Sequence, residues 1–303
     1  MKLRELSSLR ILSSHENIVQ LHELIREDDS LLYFVFEYLP NGDLYSLMNQ
    51  VRNDLLRGIQ NTRLSIPRIQ NMMRQILIGL HHIHSLGFSH RDIKPENILI
   101  DGDVCKIADF GLARQIGQCP NEGSLTEYIS TRWYRSPEIL LRDSNYSTPV
   151  DIFAVGCVMA EMMTLRPLFQ GKNEVEQISL IFQMLGTPSQ NHWPKGMSLI
   201  QNLNLAVLFH SSTPSSHEQR IRENLEISIP NASPESLDII QKMIELDPSR
   251  RFSAKELLHE PFFSINPISV RHTVSKSLQP RYKTEHEGFP RFSPKSAATD
   301  AIW

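Results

Sequence analysis

Leucines at positions 3, 6, 9 and 12 fall on one side of a helical wheel, which predicts a helix over residues 1–13. His15-Glu16-Asn17 breaks it. Ile18 to Leu24 and Ser30 to Tyr38 read as two strands, the second rich in aromatic and β-branched residues. Pro40-Asn41-Gly42-Asp43 is a turn. Leu44 to Leu56 and Ile66 to Leu86 read as helices. The second carries Ile69, Met72, Met73, Ile76, Leu77 and Leu80 on its apolar side. Residues 49–65 read as an irregular polar connection, so the first of these helices is expected to fray early. Short strands follow at Ile98 to Ile100 and Val104 to Ile107.

From Ile139 the pattern is mostly helical. The longest apolar run, Val150 to Met163, is too short to cross a bilayer and contains Asp151 and Glu161, which predicts a buried core helix. Residues 187–232 are polar and irregular and read as an insert. Ser236 to Leu246 and Ser253 to His259 are the last periodic helices. From Ser264 the composition shifts to Ser, Pro and basic residues, which predicts a solvated, partly disordered tail.

With 40% hydrophobic and 21% charged residues among 303, the composition is that of an ordinary globular protein. A net charge of −3 argues against nucleic acid or an anionic membrane as the main partner. Cys105, Cys119 and Cys157 make neither a zinc pattern nor a disulfide framework, which predicts buried apolar fillers in a reducing intracellular compartment; a cytoplasmic, nuclear or ciliary location is expected. The mixed start Met1-Lys2-Leu3-Arg4-Glu5-Leu6 lacks a signal-peptide pattern.

Chemistry concentrates in His90-Arg91-Asp92-Ile93-Lys94-Pro95-Glu96-Asn97 and, after eleven intervening residues, Asp109-Phe110-Gly111. Phosphoryl transfer needs a carboxylate to take a hydroxyl proton, and an amide and a second carboxylate to hold magnesium. Asp92, Asn97 and Asp109 supply those groups in that order. Ser136-Pro137-Glu138 follows where a third motif, A-P-E, is expected.

These motifs make the chain resemble eukaryotic protein kinases over residues 1–263. Thr131-Arg132-Trp133-Tyr134-Arg135 and the insert at 187–232 resemble the cyclin-dependent and mitogen-activated branch. Thr126-Glu127-Tyr128 is similar to the dual phosphorylation site of mitogen-activated kinases. Arg4-Glu5, Tyr128-Ile129-Ser130-Thr131 and Arg166-Pro167-Leu168-Phe169 look closest to the male-germ-cell-associated kinase group, whose relatives act on cilia. The resemblance implies an α+β two-lobe fold. Residues 1–39 would be a remnant of the small β lobe, 40–263 a complete, mostly α-helical large lobe, and 264–303 a tail.

It also implies roles. Asp92 would orient and deprotonate a Ser or Thr hydroxyl, Lys94 would neutralise charge on the transferred group, and Asn97 and Asp109 would hold Mg2+ on ATP. Phe36 would be the gatekeeper. The backbone of Glu37 and Leu39 would pair with the adenine edge, Asp43 would reach the ribose, and Leu99 would floor the adenine. Arg4, Arg91 and Arg114 would surround a phosphorylated Thr126, and Arg132 and Arg135 a phosphorylated Tyr128, both placed there by an upstream kinase. Thr131 implies Ser/Thr substrates, and Arg135 a proline after the acceptor. Glu138 and Arg251 would form a buried ion pair, and Asp151 would hold the backbone around Asp92.

The chain departs from the pattern as well. It contains no G-x-G, and Lys2 is the only lysine before Lys94. The helix residue Glu5 therefore has no strand-lysine partner, and the chain is expected to begin partway through a kinase domain. Ser136 replaces Ala, Phe153 stands where Trp is common, and residues 49–65 are longer than in close relatives. The alternative expectation is a catalytically weak docking module.

Overall fold

The computed structural model describes residues 12–27, 31–116, 131–205 and 217–264. Nearly all of the helix expected over 1–13 lies outside these residues, as do Cys119 and the tail. All the described residues fall in the first of two units, Met1–Ile265 and Asn266–Trp303.

Strands β1 (Leu21–Glu27) and β2 (Leu31–Phe36) form an antiparallel hairpin that pairs Ile25 with Tyr33 and Arg26 with Leu32. The first strand starts later than the sequence pattern predicts, because the residues before it are engaged elsewhere. Ile18 bridges to Ile107, and the Val19 N–H donates to the Ile107 carbonyl.

Helix α1 (Leu44–Leu56) starts where the Asp43 carboxylate accepts the Ser46 N–H at 2.7 Å. Leu44, Met48 and Val51 repeat on one buried face. The expected fraying does not occur. Arg52 donates through Nε to the Leu165 carbonyl at 3.1 Å, and the helix ends at Arg57, before Gly58 at φ 77°. Only the connection after it is irregular.

Helix α2 (Ile66–Ser85) is capped by Ser65 and buries the apolar face foreseen, extended by Ile83. Behind it, β4 (Ile98–Asp101) and β5 (Val104–Ile107) form a hairpin. The pair β3 (Phe88–Ser89) and β6 (Arg114–Gln115) has two residues per strand, too few to leave a periodic signal.

Four-residue α3 (Pro137–Leu140) precedes α4 (Pro149–Thr164), which is buried on every side from Val150 to Met162. Then come α5 (Glu174–Leu185), α6 (Pro194–Asn202), α7 (His217–Ser228), α8 (Pro234–Met243) and α9 (Ala254–Leu258). The described part of the expected irregular insert therefore includes helices α6 and α7. Among its described side chains, polar α7 buries only the apolar pair Ile221 and Leu225, one turn apart, and so hides its periodicity.

Glu138 and Arg251 meet as foreseen, bidentate at 2.8 and 3.2 Å, with side chains 1% and 0% exposed. Arg251 also donates to the carbonyls of Pro149 and Glu245 and lies over the Phe153 ring, 5.2 Å from its centroid. Cys105 and Cys157 are buried, and burial pushes both thiols up, Cys105 to about 12. No helix among the described residues is long and apolar enough to cross a membrane.

Candidate active site

The site starts from one buried carboxylate. Asp151 of α4 accepts the backbone N–H of His90 at 2.9 Å and of Arg91 at 2.6 Å, the Ser89 hydroxyl at 2.9 Å, and His84 Nε2 at 2.9 Å. Burial alone would raise its pKa. The His84 hydrogen bond, the nearby imidazoles and the Arg91 N–H outweigh burial and hold it below the ordinary 3.8. His90 is fully buried. Burial lowers its pKa against the pull of Asp151, and its Nε2 lies 3.0 Å from the Ala108 carbonyl.

These bonds fix the chain around Asp92. Arg91 adopts φ 71°, a left-handed conformation costly for a side chain of its size, and the two N–H bonds to Asp151 on its N-terminal side sustain it. Lys94 Nζ donates to Asp92 Oδ2 at 2.7 Å, and Asn97 Nδ2 donates to the same oxygen at 2.9 Å and to the Asp92 carbonyl at 2.8 Å. With its Nδ2 spent on Asp92, Asn97 has its amide oxygen left for a cation.

Asp109 belongs to the same cluster. The Ala108 N–H donates to the Asn97 carbonyl at 2.9 Å, which ties the residue before Asp109 to the turn Pro95–Asn97. Asp109 itself sits at φ 62° and accepts the Gly111 N–H at 3.1 Å. Phe110 packs edge-on against His90 with centroids 5.1 Å apart. An amide oxygen and a carboxylate are hard oxygen donors and fit magnesium. Thr131 shares the wall of one pocket with Asp92, Arg91, Tyr134 and Arg135.

The residues expected around an adenine lie at the end of β2, in the turn before α1 and on the β4–β5 hairpin. Leu99 stands opposite Lys106 on the β4–β5 hairpin, and Asp43 bridges to Leu99. Leu39 is buried and Phe36 half exposed at the end of β2. Two features here were not foreseen. The Glu37 carboxylate pairs with Lys106 at 2.7 and 2.8 Å, and its N–H donates to the Gln20 carbonyl, which leaves any adenine contact of that residue to its own carbonyl. Burial would raise Glu37, but Lys106 and the Gln20 N–H win and lower it. Asp43 is engaged as the cap of α1.

Among the arginines, Arg91 and Arg132 each bury an Nε with no partner among the described residues. The register Ser89↔Arg114 places Arg114 across the ladder from the start of the Arg91 loop. Arg91 also lies over Tyr146, 5.0 Å from the ring centroid. Arg135 and Arg142 both approach Glu174 at 3.8 Å. Arg4, Thr126 and Tyr128 lie outside the described residues. The sequence reading also missed Tyr134, whose hydroxyl donates to buried Glu161 at 2.6 Å. The signal was there, since Glu161 and Asp151 are the two carboxylates in an apolar run.

A family model described as a protein kinase domain matches residues 1–263. Serine/threonine-protein kinase ICK of Mus musculus is 46% identical over 272 residues, covering 89% of this chain and 39% of that protein. Serine/threonine-protein kinase MAK of Homo sapiens is 43% identical over 289 residues, covering 92% of this chain and 42% of that protein. Cyclin-dependent kinase F-3 of Oryza sativa subsp. japonica is 38% identical over 288 residues, covering 93% and 61%. The chain thus spans about two fifths of the length of the first two relatives.

Proposed function

The chain belongs to the protein kinase family, and on that premise we propose that it transfers the γ-phosphoryl group of ATP to Ser or Thr hydroxyls of proteins, preferring proline after the acceptor. The observation that carries this reading is the arrangement at Asp92. Its carboxylate is aimed by Lys94 and Asn97 while its backbone neighbours are pinned to Asp151.

A substrate hydroxyl beside Asp92 would be oriented by that carboxylate and give up its proton to it as the oxygen bonds to phosphorus and the bond to ADP breaks. Lys94 carries positive charge next to the reacting group. Asn97 and Asp109 are the residues that would hold Mg2+, which supplies charge neutralisation on the phosphates when bound. Leu99, Leu39 and Phe36 offer an apolar seat for an adenine. Thr131 and Arg135 flank the acceptor side of Asp92.

Control of this activity is assigned to Thr126 and Tyr128. The buried Nε atoms of Arg91 and Arg132, which have no partner among the described residues, support that reading, since a phosphate gives such donors an acceptor. The assignment of 1–263 as the catalytic domain and 264–303 as a tail belongs to the same proposal.

The test is direct. The purified chain with ATP and Mg2+ is offered a Ser-Pro peptide, its Ser-Ala counterpart and a Tyr-Pro peptide. Transfer fastest to Ser-Pro, and lost in Asp92→Asn, is the expected result. Transfer no greater than that of Asp92→Asn would overturn it and favour the docking module. Equal rates on Ser-Pro and Ser-Ala would remove the proline preference alone.

A further inference from the structure

Two imidazoles outside the catalytic cluster join the turn before β1 to α2. The rings of His15 and His82 stack with centroids 4.7 Å apart and planes 28° from parallel. His15 Nδ1 accepts the backbone N–H of Asn17 at 3.1 Å, so that nitrogen carries no proton. His82 Nε2 is buried and has no partner among the described residues.

The turn they hold is a junction. Asn17 Nδ2 donates to Gln75 Oε1 on α2 at 3.1 Å and to the Cys105 carbonyl on β5 at 3.0 Å. The Asn17 carbonyl takes the Ile107 N–H, and the Val19 N–H returns to the Ile107 carbonyl. Gln75, Gly79 and His82 lie along one face of α2. Gly79 permits the close approach, since a Cβ there would meet the Asn17 carbonyl oxygen at 2.9 Å. Ile107 stands two residues before Asp109.

We propose that the His15–His82 stack is an acid-sensitive latch. A proton on His15 Nδ1 turns that nitrogen from acceptor to donor and breaks the bond from the Asn17 N–H. That loosens the junction between the β1–β2 hairpin and the strand that leads to Asp109.

The surroundings agree with that assignment. Burial first, then His82, hold His15 below its ordinary 6.5, while Glu16 on the same turn pulls the other way. Gln75, from α2, is uncharged. Cys105, from β5, is a neutral thiol. A depressed histidine means the opened turn binds a proton that the closed turn resists. The junction therefore weakens as pH falls below 6.5 and levels off once closed His15 titrates.

Buried His90 is also depressed and adds an acid lability of its own, so the test has to be local. Hydrogen exchange of the full chain, corrected for intrinsic rates, reads the amides of Asn17, Val19 and Ile107 from about pH 7.5 to about pH 5. Their protection is expected to fall by up to about tenfold per pH unit within the window, while amides of α4 hold. His82→Phe keeps a ring against His15 but removes the imidazole that helps hold His15 down, and should show a smaller fall. Equal falls in both proteins, no fall in either, or α4 amides falling in step would overturn the proposal. Should His82→Phe not fold, imidazole NMR titration of the unaltered chain decides. A depressed titration of His15 supports the latch, and an ordinary one sinks it.

Discussion

Asp151 and Arg91 are sixty residues apart, yet the Arg91 N–H meets the Asp151 carboxylate at 2.6 Å, in a bond that anchors a left-handed residue directly before Asp92. The aim of Asp92 therefore rests on the core helix as much as on its own loop. Asp151→Asn leaves one amide oxygen where two carboxylate oxygens accepted the His90 and Arg91 N–H groups. It is expected to lower kcat by about a hundredfold, with a smaller change in KM, as Asp92 loses its aim. The carboxylate is depressed in the folded state, so its stabilisation is present above pH 3.8 and is lost as pH falls through the lower folded value. Acid unfolding curves of the Asn variant should be flatter in that range.

The Glu138–Arg251 pair should behave as a unit. Removing one partner leaves a charge in a site 0–1% exposed. Glu138→Ala is therefore expected to cost about 3–5 kcal/mol in urea unfolding. The double change Glu138→Leu, Arg251→Met leaves no buried charge and should cost clearly less than the sum of the single changes.

Glu161 carries the opposite sign. Burial raises its carboxyl above the ordinary 4.5, more than the Tyr134 hydroxyl lowers it. The unfolded chain therefore ionises first, and stability falls as pH rises from 4.5 through the folded value. Glu161→Gln keeps an acceptor for Tyr134 and removes the titration. Its melting temperature should exceed that of the parent above this window and match it below.

Ser136 is fully buried, and its hydroxyl has no partner among the described residues. Ser136→Ala removes an unsatisfied polar group without altering the backbone. The expected gain is about 1 kcal/mol, read as a higher denaturation midpoint at unchanged slope. A loss of stability would mean that the hydroxyl is satisfied in solution.

What the sequence disclosed follows from where its signals lie. Helix α2 was legible because Ile69, Met73, Ile76 and Leu80 repeat at helical spacing on one face. The cluster of Asp92, Asn97 and Asp109 was legible because its members sit close together along the chain. Interactions across long separations were not legible from spacing. His84 meets Asp151, Glu37 meets Lys106, and Arg52 meets Leu165, and neither partner of these pairs carries a periodic mark. Asp43 lies in a turn whose chemistry suits both capping and ligand binding, and only coordinates reveal the cap. Glu138 and Arg251 were paired in advance by resemblance, since 113 residues separate them.

The burial of Cys105 and Cys157 gives the molecule two internal clocks. A thiol reagent attacks the thiolate, and here both sulfurs are enclosed and held protonated. Modification must wait for the structure to open around them. Cys105 lies on β5 and times the release of the strand beside the catalytic cluster, whereas Cys157 lies inside α4 and times the loss of the core itself. The difference between the two modification rates would measure how far the strand can part from the core before the whole unfolds.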